Sequence, residues 1–211
     1  NNIEKDFLFS KKILAKIYIG DWIDLKNDIK IFNKNLSFEN PSINPLSLKY
    51  LNDDASLQKK FTENYWNIRP KNHYFSKISS IKKNKKNTGR IRVGYFSGDF
   101  KNHAVFHLIQ DLFVNHDKSK FEIFAYSTVF KHDSCREKII NNVDKFFDLH
   151  NLSDEEIIKL LNLHNLDFAI DLSGHTVHNK SHLFEYNISK IKINYLGFPG
   201  TMGTEKYDYI I

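Results

Sequence analysis

The sequence has a single cysteine, Cys135, so it cannot carry a disulfide framework. It also lacks any run approaching the roughly 18 consecutive apolar residues of a membrane-spanning helix. With 41% hydrophobic and 14% aromatic residues, the chain can bury a sizeable core, which excludes a disordered or collagen-like protein. A lone thiol suits a reducing compartment. The composition therefore predicts a folded cytoplasmic protein without a membrane partner.

Acidic residues are absent from the stretch 71–92, which holds eight basic ones: Lys71, Lys77, Lys82, Lys83, Lys85, Lys86, Arg90 and Arg92. Without these eight charges the net charge of +6 would become −2. A nucleic-acid groove would interleave basic with aromatic residues. The part of this run from Ile81 to Gly89 has no aromatic residue and no hydrophobic periodicity. It is more typical of a solvated linker. We predict a domain boundary at 71–89 and no nucleic-acid partner.

Residues 1–70 show apolar side chains at helical spacing. The two stripes are Ile13, Leu14, Ile17 and Tyr18, and then Leu57, Phe61 and Tyr65. The second stripe follows Asp53 and Asp54, acidic residues suited to a helix start. We predict a mostly helical first segment over 1–70.

Strands and helices alternate after the linker. Strands are predicted at 90–96, 121–127, 146–149, 168–172 and 191–196, with another starting at Tyr207. Helices are predicted at 105–113, 134–142 and 153–164, and the last of these opens with a capping box from Ser153 to Glu156. The alternation predicts an α/β domain over 90–211, a Rossmann-like parallel sheet with helices on both faces.

Three loops that follow strands hold five of the eight glycines, and two of these loops carry histidine. They are the stretches 97–103, 173–178 and 197–203. Ligands of open α/β sheets gather outside the carboxyl ends of the strands. We therefore expect these loops to converge on one edge and to form the functional site.

His103 lies where the first of these loops enters a helix. A helix N-terminus disfavours an imidazolium, so the ring should be neutral and able to accept a proton. Asp99 and Asn102 are near enough to orient it or to position a water molecule. The alternative is that His103 or Asp99 merely caps the helix.

The other chemical signals are weaker. His103 and His107 are four residues apart, but the glutamate of a zinc helix is missing, and His175 and His178 add no established ligand spacing. We predict no metal. Neither a dinucleotide-binding glycine fingerprint nor a phosphate-binding loop is present, so no nucleotide cofactor is expected.

The remaining titratable residues have simpler interpretations. His150 and His164 are predicted to be surface loop residues, and Cys135 a plain thiol. Asp148 and Asp171 end strands, so each either supports the site or only terminates its strand.

Three segments carry a family resemblance. The sequence RVGYFSGDFKNH at 92–103, with NYLGFPGTMG at 194–203 and the closing DYII, resembles the protein O-linked N-acetylglucosamine transferases. It is most similar to their bacterial members, which carry tetratricopeptide repeats ahead of the catalytic region. The resemblance covers about 90–211 and extends more loosely back to 44–47.

The resemblance implies a two-lobed glycosyltransferase of the GT-B type, with this chain as its first lobe. The reaction implied is inverting transfer of a sugar from a UDP-sugar to serine or threonine hydroxyls of proteins, without metal or other cofactor. The second lobe, which supplies most contacts to uridine diphosphate, would be missing from this fragment. We therefore expect the isolated chain to be inactive.

The resemblance also implies roles for individual residues. His103 matches the family histidine beside the sugar and acceptor, and Asp99 and Asn102 match its neighbours, so these three are the predicted catalytic residues. Leu196 and Gly197 match a loop that contacts the donor sugar. The remaining predicted substrate-binding residues are Pro199, Gly200 and Thr201 from that loop and Gly174 and His175 from the loop before it.

The sequence departs from the family after this histidine, where Ala104 and Val105 replace a common proline and threonine. Acceptor identity and the choice between N-acetylglucosamine and a plain hexose stay open. So does a second class of function, a non-catalytic module that binds a nucleotide-sugar or a protein.

Overall fold

The computed structural model describes residues 2–39, 41–69 and 89–211. Almost all of the predicted basic linker, 71–89, lies outside the described residues. Two compact units are present. The first comprises Asn1–Pro70 and Thr201–Thr204, and the second comprises Lys71–Gly200 and Glu205–Ile211.

The first unit is helical. Its helices are α1 (Asn2–Ile19), α2 (Leu25–Asn35), α3 (Pro45–Lys49) and α4 (Ala55–Asn67). Asp54 caps α4 by accepting the backbone N–H groups of Ser56 and Leu57. This acidic start was predicted from the sequence.

The core of the helical unit contains much of the predicted apolar stripes. Its buried side chains are Ile13, Leu14, Leu25, Phe32, Ile43, Leu48, Leu51 and Phe61. The assignment of Tyr18 to the buried stripe is wrong, because this side chain is 81% exposed. It is the penultimate residue of α1 and lies beyond Ile17, the last residue of this helix that packs against the core.

The second unit is the predicted α/β domain. Its elements are β1 (Ile91–Ser97), α5 (Ala104–Asn115), β2 (Phe121–Ser127), α6 (Ser134–Asn142), β3 (Lys145–Asp148), α7 (Asp154–His164), β4 (Leu166–Asp171), a 3₁₀ turn (Ser181–Glu185), β5 (Ser189–Asn194) and β6 (Tyr209–Ile210). All six strands are parallel, in the order β3-β2-β1-β4-β5-β6. The predicted fold class is confirmed.

Aromatic side chains pack across one face of the sheet. Phe96, Tyr126 and Phe147 are neighbours in the β1–β2–β3 register, with ring centroids 4.5 and 5.5 Å apart. Such cross-strand pairs stabilise a sheet beyond simple burial. The opposite face packs against α5 and α6 through side chains that include Val93, Ile123 and Ile109.

Ion pairs join the strands near their amino ends. Glu122 on β2 accepts from Arg92 of β1 at 2.9 Å and from Lys145 of β3 at 3.2 Å. Asp167 on β4 accepts the backbone N–H of Arg92 at 2.8 Å and pairs with Lys190 of β5 at 2.6 Å. These pairs occupy the amino edge, whereas the glycine-bearing loops occupy the opposite, carboxyl edge.

The assignment of His164 to a surface loop is wrong. It is the last residue of α7, its Nδ1 lies 2.7 Å from the Tyr126 hydroxyl, and its ring centroid lies 4.5 Å from that of Phe147. Burial lowers the pKa of His164 to about 4. His150, in contrast, is exposed after β3, as predicted.

Stability should therefore fall as the pH falls from about 6.5 toward 4. The unfolded chain takes up the His164 proton first, because the folded pKa is the lower of the two. Thermal unfolding at pH 7 and pH 5 measures this. The loss of stability between these pH values should shrink in His164→Gln and stay unchanged in the exposed control His150→Gln. Equal losses in both variants would contradict the prediction.

Candidate active site

The carboxyl edge of the sheet has a topological switch between β1 and β4. The chain proceeds from β1 outward to β2 and β3, then returns to place β4 on the other side of β1. Adjacent loops diverge at such a point and leave a crevice for ligands. The predicted loops at 97–103 and 173–178 follow these two strands.

The three predicted loops form a contiguous row at this edge. Gly98 after β1 donates its backbone N–H to Ser173 Oγ after β4, at 3.2 Å. A Cβ at Gly197 after β5 would lie 1.7 Å from the Leu172 carbonyl oxygen. Only glycine permits this approach of two backbones. The loop after β2 also joins the row, since Thr128 Oγ1 donates to the His178 carbonyl at 2.6 Å.

His103 is the N-cap of α5. Its Nδ1 accepts the Val105 backbone N–H at 3.2 Å, while its side chain stays 43% exposed. Because Nδ1 is used as an acceptor, the neutral ring carries its proton on Nε2. The capping alternative is thus realised, and it alters the chemistry expected of the ring. In this arrangement His103 offers an N–H donor rather than a proton acceptor.

Asp99 is the carboxylate beside this imidazole. Its Oδ2 lies 3.6 Å from His103 Nδ1, which is too long for a hydrogen bond. The Asp99 side chain is 15% exposed, with Lys101 Nζ 3.8 Å from Oδ1. Asp99 is therefore close to His103 without a hydrogen bond to it, and its carboxylate can accept a proton or orient a water molecule.

Asn102 differs from its predicted position. Its Oδ1 lies 2.9 Å from His107 Nε2, so its side chain is directed along α5 instead of orienting His103. Its backbone N–H donates to Asp133 Oδ2 at 2.9 Å. Residue spacing placed Asn102 near His103, but the Asn102 side chain instead reaches His107, five positions later in the first turn of α5.

Asp171 ends β4 as a buried carboxylate with four donors. Oδ1 accepts the backbone N–H groups of Ser173 and Gly174, both at 2.9 Å. Oδ2 accepts the hydroxyls of Ser181 at 2.9 Å and Tyr207 at 2.7 Å. Asp171 therefore supports the site by fixing the backbone of the loop after β4.

This arrangement gives Gly174 and His175 roles in packing. Gly174 has a φ of 55°, and its N–H donates to Asp171. Its carbonyl lies 2.6 Å from Ser181 Oγ, whose single hydroxyl proton is shared between this carbonyl and Asp171 Oδ2. His175 is 1% exposed, with its ring 5.2 Å from that of Phe198, edge to face. Neither residue presents a free group to a ligand here, in contrast to the sequence-based assignment. The burial of His175 depends on a contact between the loop after β4 and the loop after β5, where Phe198 lies.

The loop after β5 begins with a strained turn. Gly197 donates its N–H to the Tyr195 carbonyl at 2.9 Å across Leu196, whose φ is 69°. This is the rarer of the two γ-turns, and such strain in a non-glycine residue clusters at ligand sites. Of the other predicted residues, Pro199 is exposed and Gly200 is half-buried. Thr201 accepts the Gly203 N–H at 3.1 Å and groups with the helical unit.

Sequence reasoning missed the side chains that connect the loops. Ser173, Thr128 and Asp133 each bond across two loops. Asp133 had a detectable signal, because it immediately precedes the predicted helix at 134–142 and therefore reads as an N-cap. Ser173 and Thr128 had none, since their partners are distant in sequence.

Neither a metal-ligand cluster nor a membrane-spanning helix is present in the described ranges 2–39, 41–69 and 89–211. There, no three histidine, cysteine, aspartate or glutamate side chains are grouped so that they could hold a metal ion. The same residues form no helix that is long and apolar enough to span a bilayer.

The strand order and the carboxyl-edge loops define an α/β domain of the doubly wound, Rossmann-like class. A model of glycosyl transferase family 41 matches residues 54–211. The chain belongs to this family.

Named relatives agree with the family match. The chain is 32% identical over 123 residues to "Probable UDP-N-acetylglucosamine--peptide N-acetylglucosaminyltransferase SEC" of Arabidopsis thaliana, which covers 58% of this chain and 13% of the relative. It is 32% identical over 127 residues to "UDP-N-acetylglucosamine--peptide N-acetylglucosaminyltransferase" of Caenorhabditis elegans, and this match covers 59% of this chain and 11% of the relative. The chain thus spans a small part of either relative.

A solved structure shares the fold. A mutant O-GlcNAc transferase of Thermobaculum terrenum superposes with a TM-score of 0.68 at 17% identity. The superposition covers 96% of this chain and 37% of that one. At this identity the likeness establishes the glycosyltransferase fold.

Replacing Gly197 by alanine should disrupt the site from its backbone. The new Cβ would overlap the Leu172 carbonyl at 1.7 Å, so the two loops must separate, at a cost of about 3 kcal/mol or more of folding free energy. Chemical denaturation of the variant measures this. Exposed Pro199→Ala in the same loop is the control and should lose less than about 1 kcal/mol. Equal stabilities of the two variants would refute the close approach.

Proposed function

We propose that this chain is the first lobe of the catalytic region of a protein O-glycosyltransferase. The enzyme transfers N-acetylglucosamine from UDP-N-acetylglucosamine to serine or threonine hydroxyls of proteins, with inversion at the anomeric carbon. Family membership over 54–211 supports this proposal. So do the printed names of the Arabidopsis and Caenorhabditis relatives, which specify a UDP-N-acetylglucosamine donor and a peptide acceptor.

The observation that carries the proposal is the position of His103. This imidazole is 43% exposed, lies at the β1–β4 switch, and has Asp99 beside it. A hydroxyl acceptor and a nucleotide-sugar both need polar groups at that crevice, one to donate and one to accept. His103 Nε2 supplies the donor and the Asp99 carboxylate the acceptor.

In the proposed reaction the acceptor oxygen attacks the anomeric carbon as the bond from that carbon to the diphosphate breaks. Uridine diphosphate leaves with the electron pair of the broken bond. The hydroxyl proton passes to Asp99 through a water molecule. His103 Nε2–H hydrogen-bonds an oxygen of the sugar or the acceptor and thereby orients it.

The negative charge that develops on the diphosphate needs cationic groups or N–H donors. We propose that a second lobe supplies them, including a lysine, and that no metal takes part. Leu196 and Gly197 would line the donor-sugar side of the cleft, with Pro199, Gly200 and Thr201 further along the same loop. We further propose a cytoplasmic enzyme with tetratricopeptide repeats ahead of the catalytic region.

The variant His103→Asn tests the role of the imidazole. Asparagine is as good an N-cap as the helix requires, so α5 keeps its cap while the Nε2–H donor is lost. Transfer of labelled sugar by the full-length protein should fall about tenfold or more, equivalent to ~1.4 kcal/mol of activation free energy. Thermal stability should be unchanged.

Two comparisons make this test specific. His150→Ala removes an exposed imidazole elsewhere at the carboxyl edge and should leave transfer unchanged. His103→Ala should lose about 1 kcal/mol of stability as well as activity, because the cap disappears. Intact transfer by His103→Asn would exclude the imidazole from the reaction. Donor binding without transfer to any protein by the wild type would favour the non-catalytic module instead.

The need for a second lobe gives a separate prediction. Residues 1–211 expressed alone should bind UDP-N-acetylglucosamine weakly and transfer no measurable sugar, because most contacts to the diphosphate are missing. Isothermal titration and the labelled-sugar assay measure the two quantities. Robust transfer by 1–211 alone would contradict this division of the site between lobes.

A further inference from the structure

Asp133 joins two structural elements with a single carboxylate. It follows β2 and is the N-cap of α6, where its Oδ1 accepts the Arg136 backbone N–H at 2.9 Å. Its Oδ2 accepts the backbone N–H of Asn102 at 2.9 Å, from a loop 31 positions earlier in the chain. Capping a helix needs only the first of these bonds.

We propose that Asp133 is a positioning residue for the loop 97–103, here called the catalytic loop, and that it holds His103 in place through the backbone of Asn102. The proposal rests on the proposed glycosyltransferase function. Asn102 directly precedes His103, so a shift of its amide nitrogen displaces the imidazole. A misplacement of about 1 Å can cost a reaction about a hundredfold.

Within the described part of the chain, the other hydrogen bonds of the loop 97–103 do not tie its second half to a different element. Gly98 donates to Ser173 Oγ and Asp99 donates to Ser97 Oγ, so both bonds act on the first half of the loop. In the second half, His103 caps its own helix and Asn102 Oδ1 contacts His107 of that same helix. Asp133 ties this second half to a different element, α6.

The support behind Asp133 is rigid. Arg136, in the first turn of α6, is 2% exposed and donates to Ser127 Oγ at 3.1 Å at the end of β2. It also pairs with Asp148 at the end of β3, and its guanidinium lies 4.5 Å from the Phe146 ring centroid. The N-terminus of α6 is thus fastened to the carboxyl ends of two strands. A positioning group needs this kind of fixed base.

The chain offers a matched control at another aspartate cap. Asp54 caps α4 with one oxygen, which accepts from Ser56 and Leu57 of its own helix at 2.8 and 3.1 Å. Serine caps a helix about as well as aspartate. An Asp→Ser change at either position therefore keeps the cap, but only the change at Asp133 removes a bond to the catalytic loop.

The experiment uses the full-length protein and the variants Asp133→Ser, Asp133→Asn and Asp54→Ser. Each is measured for thermal stability, for kcat and for donor KM in the labelled-sugar assay. Hydrogen–deuterium exchange of the peptide covering 98–107 is followed in parallel by mass spectrometry. This last measurement does not depend on enzymatic activity.

Asp133→Ser should keep its melting temperature and donor KM but lose about tenfold in kcat, with faster exchange in 98–107. Asp133→Asn should lose at least as much, because its side-chain amide cannot accept at both positions and turns an N–H toward Asn102. Asp54→Ser should match the wild type in every measurement. Unchanged kcat and exchange in Asp133→Ser would overturn the proposal, as would equal losses in Asp54→Ser.

Failure of the proposed function is distinguishable from failure of this inference. If the wild type transfers no sugar, the function is wrong, and the exchange data still decide the role of Asp133. Faster exchange confined to Asp133→Ser and Asp133→Asn would then support its hold on the loop. Exchange equal to the wild type would overturn it.

Discussion

The buried carboxylate of Asp171 is the interaction on which the carboxyl edge of the sheet depends. Its four donors come from the loop after β4, from the 3₁₀ turn and from the approach to β6. With every acceptor position engaged, the carboxylate can be buried at little net cost and holds these segments in one arrangement. Ser173, which it fixes, carries the constraint to Gly98 and so to the loop of His103. An aspartate that looks like a strand terminator in the sequence thus organises the site.

His103 combines a structural role with the chemical role that we propose for it. By capping α5 through Nδ1, the ring gains a fixed orientation, and the same bond determines which nitrogen holds the proton. Helix geometry thereby makes the imidazole a donor, and for this reason the proposed reaction gives proton acceptance to Asp99. The two interpretations that the sequence left open, cap and functional group, are compatible. One nitrogen serves the helix, and the other remains for a ligand.

Much of the fold could be predicted because it depends on local patterns. Alternating elements gave the parallel sheet, Asp54 and the Ser153–Glu156 box marked helix starts, and Ser134–Asn142 lies where its periodicity placed it. The errors concern contacts between distant segments. The His164 ring contacts the hydroxyl of Tyr126 on β2, and the His175 ring is buried against Phe198. Nothing near either histidine in the sequence records these partners.

The sequence by itself determined the element order, the family and the edge of the sheet at which the candidate site lies. These follow from hydrophobic period, capping residues and the rule that parallel strands present their following loops together. Tertiary structure alone decided which side chains of those loops are buried and which partners they contact. Gly174 and His175 turn inward, Asn102 turns to His107, and Asp133 joins the site from another loop. The physical reason is that hydrogen bonds and ring contacts at this edge join residues up to 75 positions apart, where local propensity has no influence.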